Sequence, residues 1–400
     1  MVTSPVFQWS SAFSRATSTT ACVSECVRGL ELTEPPQVVF AFISEAFSEQ
    51  YAEVVELLGK RFPKAKLLGC SASGHAGQRE EIEFRPGLSI LAAVLPEVTV
   101  EGFYLNILPD LDGPPESWRE IVSPRGCDVK GMVLLADPFS FDSRAALAGL
   151  DFAFPKAVKI GGLASGCRRL GEAALFLDQK IFSQGLVGLT FSGSIEILPV
   201  VAQGCQGFGK QYVITDSKAN VIFELDGKPA LDALTEMVEG LSQEDRAAYL
   251  ATTIFVGLGA GGPSLHYQAG EFLVRQVLGT DPRIGAVAVG GAVRNGQTVQ
   301  FHLRNRDTSK SDLHQAFERA KAHLPGHLHG ALMFSCLGRG EGLYGELGHD
   351  SRVLQEKLGR VPASGFFCNG EFGPVGSQTC LHGFTSSFAL FCRPNMEIDS

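Results

Sequence analysis

Two short segments of this chain nearly repeat one another, and that repetition limits the possible folds more than any other feature. "KLLGCSASG" (66–74) and "KIGGLASG" (159–166) share a lysine, an aliphatic residue, a glycine and a closing Ala-Ser-Gly, and differ by one residue in length. Each follows a strand-like run and a helix-like run. "QVVFAFIS" (37–44) and "EQYAEVVELLGK" (49–60) precede the first; "GMVLLADP" (131–138) and "SRAALAGLDFAF" (143–154) precede the second. A third copy reads "GALMFSC" (330–336), "HDSRVLQEKLG" (349–359), "ASGFFCNGEFG" (363–373). After each loop comes another apolar strand: 87–95, 185–193 and 382–391. The repeated unit is strand, helix, strand, glycine loop, strand. Internal duplication is the economical explanation; chance similarity between short Gly/Ala/Ser loops is the alternative.

Between the second and third copies the pattern predicts strands at 193–204, 212–225, 252–258, 285–291 and 298–304, with a turn at Asp216–Asn220. Helices are expected at 229–241, opened by Pro229, and at 311–324. A division near 193–207 gives an N-terminal domain over 1–200 and a C-terminal domain over 201–400. Strand-helix-strand units favour parallel pairing and tandem hairpins favour antiparallel pairing. The expected fold is α/β: two related halves, mixed or mainly antiparallel sheets packed face to face, helices outside, as a four-layer sandwich.

The formal net charge of −9 argues against a nucleic-acid partner, which requires a basic face. The start of the chain lacks a basic segment followed by an apolar one, so no secretory leader is expected. No apolar run approaches the ~20 residues of a membrane span. The ten cysteines are widely spread, which fits free thiols in a reducing cytoplasm.

Several motifs have plainer readings. "VGLGAGGP" (256–263) lacks the following helix that a dinucleotide fingerprint needs. "GCSASG" (69–74) departs from a nucleophile elbow in its last glycine. His323, His327 and His329 flank Pro325 and Gly326, which break the helix that would align them, so a solvated loop is expected rather than a metal site. Cys22 and Cys26 are too few for zinc. No metal or other cofactor is expected. "FSCLGRG" (334–340) is more informative. Cys336 ends a strand, and Arg339 follows between glycines, with a rigid fork suited to a carboxylate. Glu371 and His382 stand in an otherwise apolar, glycine-rich stretch. The plain reading is a salt bridge between Arg339 and Glu371 that ties two loops together.

Five segments, "FELDGKPALDAL" (223–234), "FHLRNRD" (301–307), "LMFSCLGR" (332–339), "GFFCNGEFGPVG" (365–376) and "LHGFTSSFALF" (381–391), resemble the C-terminal FIST domain. "LLGCSASG" (67–74) and "GGLAS" (161–165) resemble the FIST N-terminal domain. The resemblance covers nearly the whole chain in the right order. It implies a sensory module for small ligands, with amino acids among the candidates, joined in some members to kinases, chemoreceptors or an F-box. No segment here is left over for such an effector, so a stand-alone bacterial-type member acting through a signalling protein partner is expected. The family supplies no established catalytic residues. The positions that match its polar motifs are Cys336, Arg339, Gly370, Glu371, Gly373 and His382, with Asn369 beside them.

The expected function is a cytoplasmic module that binds a small ligand, an amino acid or a carboxylate, where the glycine loops converge. Gly69, Ser71, Gly162, Ser165, Asn369 and Gly370 would line that place, since glycine lets backbone amides approach a ligand closely. Arg339 would hold a carboxylate and Glu371 an ammonium, with His382 and Cys336 beside them. The alternatives are an enzyme with Cys336 or Cys368 as nucleophile and His382 as base, or a scaffold that docks a signalling partner.

Overall fold

The computed structural model describes residues 6–241, 246, 254–260, 266–268 and 270–394. It is mixed α/β, with sheets facing one another and helices outside, as expected from the sequence. The chain forms two compact units. One comprises 1–201, 314–374 and 379–400; the other comprises 202–313 and 375–378. The first unit thus takes residues from both sides of a division at residue 200.

The first unit is built from three copies of one motif. Each has a leading strand, a helix, a first strand, a second helix, a second strand, a hairpin and a third strand. The leading strands are Gln8–Ser14, Val98–Leu105 and Glu196–Ala202. The first strands are Val38–Ser44, Val129–Ala136 and Gly326–Cys336. The second strands are Lys66–Ala72, Val158–Leu163 and Ala363–Cys368, each parallel to its first strand. The third strands are Leu88–Val94, Leu186–Gly193 and Ser386–Pro394, each antiparallel to the first. The second unit is inserted into the third copy, after its leading strand.

Parallel neighbours require a crossover, and the helices Tyr51–Arg61, Ser143–Ala153 and His349–Leu358 supply it. Their apolar positions recur at helical spacing: Tyr51, Val54, Val55 and Leu58 in one, Ala146, Leu147, Leu150 and Ala153 in another, all buried against the sheet. Asp142 caps the second helix by accepting from the Ala145 amide at 3.0 Å.

The hairpins do not stay with their own copy. Gly74–Ala76 of the first copy pairs with Ala363–Cys368 of the third. Leu175–Leu177 of the second pairs with Lys66–Ala72 of the first. Glu371–Val375 of the third pairs with Val158–Leu163 of the second. The exchange is cyclic, and each six-stranded sheet ends in a neighbour's hairpin.

Register identifies the equivalent residues. Gly69, Gly161 and Gly365 lie opposite Ala41, Leu134 and Met333 of the first strands. A Cβ on any of them would fall 2.0, 1.8 or 2.1 Å from the carbonyl oxygen opposite. Glycine is therefore required three times by the same close approach. Five residues later come Gly74, Gly166 and Gly370, so the three loops have equal length from the first glycine.

The inner faces of the sheets share one core. Phe40, Phe191 and Phe391, one from each sheet, pack mutually with ring centroids 5.7 to 6.4 Å apart. Helices cover the outer faces of the first two sheets.

In the second unit, Gln206–Lys218 pairs with both Thr298–Leu303 and Val221–Leu225, which closes the antiparallel strands into a ring. Ala230, Ala233, Leu234 and Met237 of the helix Ala230–Glu239 join its core. Gly257 and Gly259 lie on the strand Ile254–Gly259, while Gly261, Gly262 and Pro263 of the same motif lie outside the described residues. In the first unit, His327 and His329 lie within the strand Gly326–Cys336, where a solvated loop was expected. The strand ladder sets their conformation, not the Pro325-Gly326 pair before them. Among the described residues no His/Cys/Asp/Glu group could hold a metal ion, and no helix is long and apolar enough to cross a membrane.

Candidate functional site

The glycine loops do converge within the first unit, and their polar side chains there bind backbone. Ser71 donates to the Ser165 carbonyl at 2.9 Å and accepts from the Ala174 amide at 3.2 Å. The Ser165 hydroxyl accepts from the Ser73 amide at 2.9 Å and donates to the Phe367 carbonyl. Ser165 therefore ties all three copies together. Asn369 occupies the corresponding place in the third copy and donates to the Ala164 carbonyl at 3.0 Å. The Gly370 carbonyl accepts from the Leu163 amide at 2.8 Å. A Cβ at Gly162 would meet the Cys368 sulfur at 2.6 Å, so this glycine serves packing. Gly69 does likewise, as described above.

Arg339 is fully buried. Its Nε and Nη2 donate to the two carboxylate oxygens of Asp350 at 2.8 and 3.2 Å, and Nη2 also donates to the Tyr344 hydroxyl. The fork that suits a ligand carboxylate is thus engaged by Asp350, eleven residues on. Ser335 donates to Asp350 at 3.0 Å, and His349 lies 3.0 Å from it. Burial would raise the Asp350 carboxyl. The Arg339 charge and the hydrogen bonds from His349 and Arg339 outweigh burial and hold it well below the usual carboxylate range.

Two further acids reach this cluster from the first copy's hairpin. Glu81 accepts from the Ser351 amide at 2.7 Å, and Glu83 accepts from the Glu341 amide at 2.7 Å. Burial, with the Asp350 charge adding to it, pushes the Glu81 carboxyl up to about 8. The sequence offered no signal for Glu81, because its position depends on the exchanged hairpin.

Glu371 is buried and accepts from the Thr385 amide at 3.2 Å. Arg339 reaches the adjoining Phe384 carbonyl at 3.5 Å, so both side chains touch one turn. His382 Nε2 lies 3.1 Å from the Gly373 carbonyl, which makes it a backbone partner. Cys336 is half-buried at its strand end, and its sulfur accepts from the Gly338 amide at 3.5 Å. Burial pushes the Cys368 thiol well up, with the Glu371 charge adding to the effect. That is the reverse of an activated nucleophile.

An open cavity of about 610 Å³ lies at the C-terminal ends of Val38–Ser44 and Lys66–Ala72. In open α/β sheets this edge is the usual place for ligands. Glu45, Tyr51, Gly166, Arg168, Glu172 and Ala174 are among its lining residues. The cavity exists because the second copy departs from its siblings. By register, His75 and Glu371, one residue after Gly74 and Gly370, hold equivalent places on their hairpin strands. After Gly166 the equivalent residue is Leu175, so eight residues are inserted (175 − 166 = 9, against 1 and 1). Gly166, at φ +73°, bears on the Glu45 Cβ and the Ala72 backbone, where any side chain would collide. Within the insertion Glu172 accepts from the Arg168 amide at 2.9 Å and from Arg169 Nε at 2.7 Å. Burial raises the Tyr51 phenol, with Ser71 partly offsetting the effect, and its hydroxyl is sealed from solvent beside Ser71. Of the residues singled out in the sequence, Ser71 and Ser165 lie directly behind this cavity: Ser71 bonds the lining residue Ala174, and Ser165 precedes Gly166.

Comparison with known proteins matches residues 37–228 to the FIST N domain and residues 230–374 to the FIST C domain. An "Uncharacterized protein" of Mycobacterium tuberculosis is 34% identical over 356 residues, covering 89% of this chain and 91% of that protein. One of Mycobacterium bovis is 34% identical over 359 residues, covering 90% and 91%. Among solved structures, the cyanuric acid hydrolase from A. caulinodans aligns over 98% of this chain and 100% of its own, at 9% identity and a TM-score of 0.35. Another cyanuric acid hydrolase aligns over 97% and 100%, at 10% identity and a TM-score of 0.30. Superpositions at that level carry no inference about activity.

Proposed function

The chain belongs to the FIST family, whose domains are associated with sensory signal transduction, and on that premise we propose that it binds a small ligand, an amino acid or a carboxylate, in the cavity beside the 166–174 insertion. The observation that carries this reading is the insertion itself. Three otherwise similar loops differ in one place, and the extra residues frame an open cavity with charges of both signs. A site grafted onto a rigid repeat is where binding residues are expected. The exposed Arg168 would meet a ligand carboxylate at the rim, and Glu45 an ammonium. In this reading Arg339, Glu371, His382, Cys336, Asn369 and Gly370 shape the sheet ends without touching the ligand. Ser71 and Ser165 link the cavity to all three copies, a route by which occupancy would reach a signalling protein partner in the cytoplasm.

Thermal shift against a panel of amino acids and organic acids tests the reading. Saturation at a hundredfold over Kd stabilises by roughly 2.7 kcal/mol, which raises Tm by ~2–4 °C per kcal/mol for domains of 150–250 residues. Arg168→Ala should abolish the shift given by any acid that binds. A panel without a single shift, on protein confirmed free of ligand, refutes it.

A further inference from the structure

The turn from the crossover helix into the second strand is the same in two copies: Phe-Pro-Lys-Ala occurs at 62–65 and again at 154–157. Phe62 and Phe154 end their helices in one conformation, at φ −124° and −132° and ψ 61° and 65°, because a residue before proline is driven out of the helical region. Their amides close on the Leu58 and Leu150 carbonyls at 2.8 and 2.9 Å. The Ala65 and Ala157 amides close on the Phe62 and Phe154 carbonyls at 3.1 and 3.2 Å. Each turn walls a cavity at the N-terminal ends of the strands, about 240 Å³ in the first copy and about 340 Å³ in the second, and all four residues of the motif line it. The cavity beside the 166–174 insertion lies at the other end of the strands. We propose that the two N-terminal cavities are equivalent sites for a small organic acid, its carboxylate on Lys64 or Lys156 and its apolar body against the adjoining phenylalanine, proline and alanine.

Three observations point the same way. The turn draws its bonds and its conformation from phenylalanine, proline and alanine, and neither lysine side chain takes part. Both are exposed, and neither makes a hydrogen bond or an ion pair among the described residues. Second, the acid in each cavity is already engaged. Asp178 accepts from Lys66 Nζ at 3.0 Å and from the Leu67 amide at 3.3 Å. Asp128 accepts from Lys130 Nζ at 2.8 Å, and Lys156 acts on it only at longer range. The two lysine charges are thus available to an anion, in a chain whose net charge is −9. Third, the base recurs even where the phenylalanine and proline do not. Arg360 stands five residues before Gly365, as Lys64 and Lys156 stand before Gly69 and Gly161. That third turn is tied from within: Gln355 donates to the Val361 carbonyl at 2.7 Å and accepts from the Val361 amide at 3.0 Å, Val361 being the counterpart of Ala65 and Ala157. A base beyond a helix C-terminus also complements the helix dipole, an effect on stability that needs no cavity. The small volumes suit a short acid.

The test is methyl NMR of the full chain with labelled alanine, in which Ala65 and Ala157 report one cavity each. Butyrate should shift both signals to saturation, and raised salt should weaken both titrations. Lys64→Gln should raise Kd at Ala65 by ~10-fold or more and leave Ala157 unchanged, as expected when a charge-assisted hydrogen bond is lost; Lys156→Gln should do the reverse. Butyramide, nearly isosteric with butyrate but neutral, should bind at least ~10-fold more weakly at each place. Arg168→Ala, at the other cavity, should leave both titrations as they are. Should a glutamine variant fail to fold, butyramide and the salt dependence decide the matter. Butyramide binding as well as butyrate, either glutamine variant titrating like the wild type at its own alanine, or Arg168→Ala abolishing the shifts overturns the assignment. Inorganic phosphate shifting the two methyls where butyrate does not overturns it too. So do shifts that never saturate, or none at all, whatever the thermal-shift panel shows for the cavity beside the insertion.

Discussion

Glu81 should make the stability of this protein depend on pH in a way that a single substitution removes. In an unfolded chain a glutamate titrates near ~4.3. In the folded protein burial and the facing Asp350 raise Glu81 to about 8. A carboxyl whose folded value is raised stabilises through its neutral form. That contribution is fully present below the unfolded value, is lost progressively as pH rises through the window between the two values, and is gone above the folded value. Within the window the slope for this group approaches roughly 1.4 kcal/mol per pH unit. Glu81→Gln keeps an oxygen to accept from the Ser351 amide but carries no proton to lose. Urea denaturation of both proteins, from about pH 5 to about pH 8.5, gives the difference curve, in which groups far from the cluster cancel. The variant should gain on the wild type steadily as pH rises, and the gain should level off above the folded value. Parallel curves would refute the argument, since they would mean that Glu81 is already charged in the folded state. A variant that loses stability equally at every pH would show that the hydrogen bond to Ser351, and not the buried proton, is what matters.

Asp350→Asn should destabilise by roughly 3–5 kcal/mol, because it leaves the buried Arg339 charge without its counter-ion. Denaturation midpoints check this, and a loss below about 1 kcal/mol would mean that the pair behaves like a surface one. Gly161→Ala and Gly365→Ala should each cost at least ~1–3 kcal/mol, because the new Cβ meets a backbone carbonyl that cannot step aside. Gly227→Ala, where nothing lies within 4 Å but φ is +76°, should cost only about 1 kcal/mol. Equal losses at all three positions would deny that the close approach is what demands glycine.

The sequence by itself determined the repeated unit. Alternating apolar runs, amphipathic helices and small-residue loops are local patterns, so each copy shows its strand, helix, strand and glycine loop directly. Of the three required glycines the sequence singled out only Gly69; in the other copies the loop pattern pointed to Gly162 and Gly370, because the demand on Gly161 and Gly365 comes from a carbonyl on another strand. The eight extra residues after Gly166 were present in the sequence as well, but spacing gave them no meaning until the hairpin registers were known. What only the tertiary structure decided is the pairing across copies. Gly74–Ala76 meets a strand some 290 residues later (365 − 76 = 289), and no periodicity within either segment selects that partner over the strand nearby. The site depends on the same non-local step. Arg339 and Glu371 looked like each other's partners because both sit in glycine-rich loops at one end of a parallel pair. A buried guanidinium takes whichever carboxylate the surrounding loops bring into bidentate reach, and that is Asp350. Glu81 arrives from a different copy altogether, and the cavity opens at a sheet edge closed by a borrowed hairpin. Local sequence fixes which elements form. Long-range hydrogen-bond pairing, chosen by the packing of whole sheets around Phe40, Phe191 and Phe391, fixes which side chains meet.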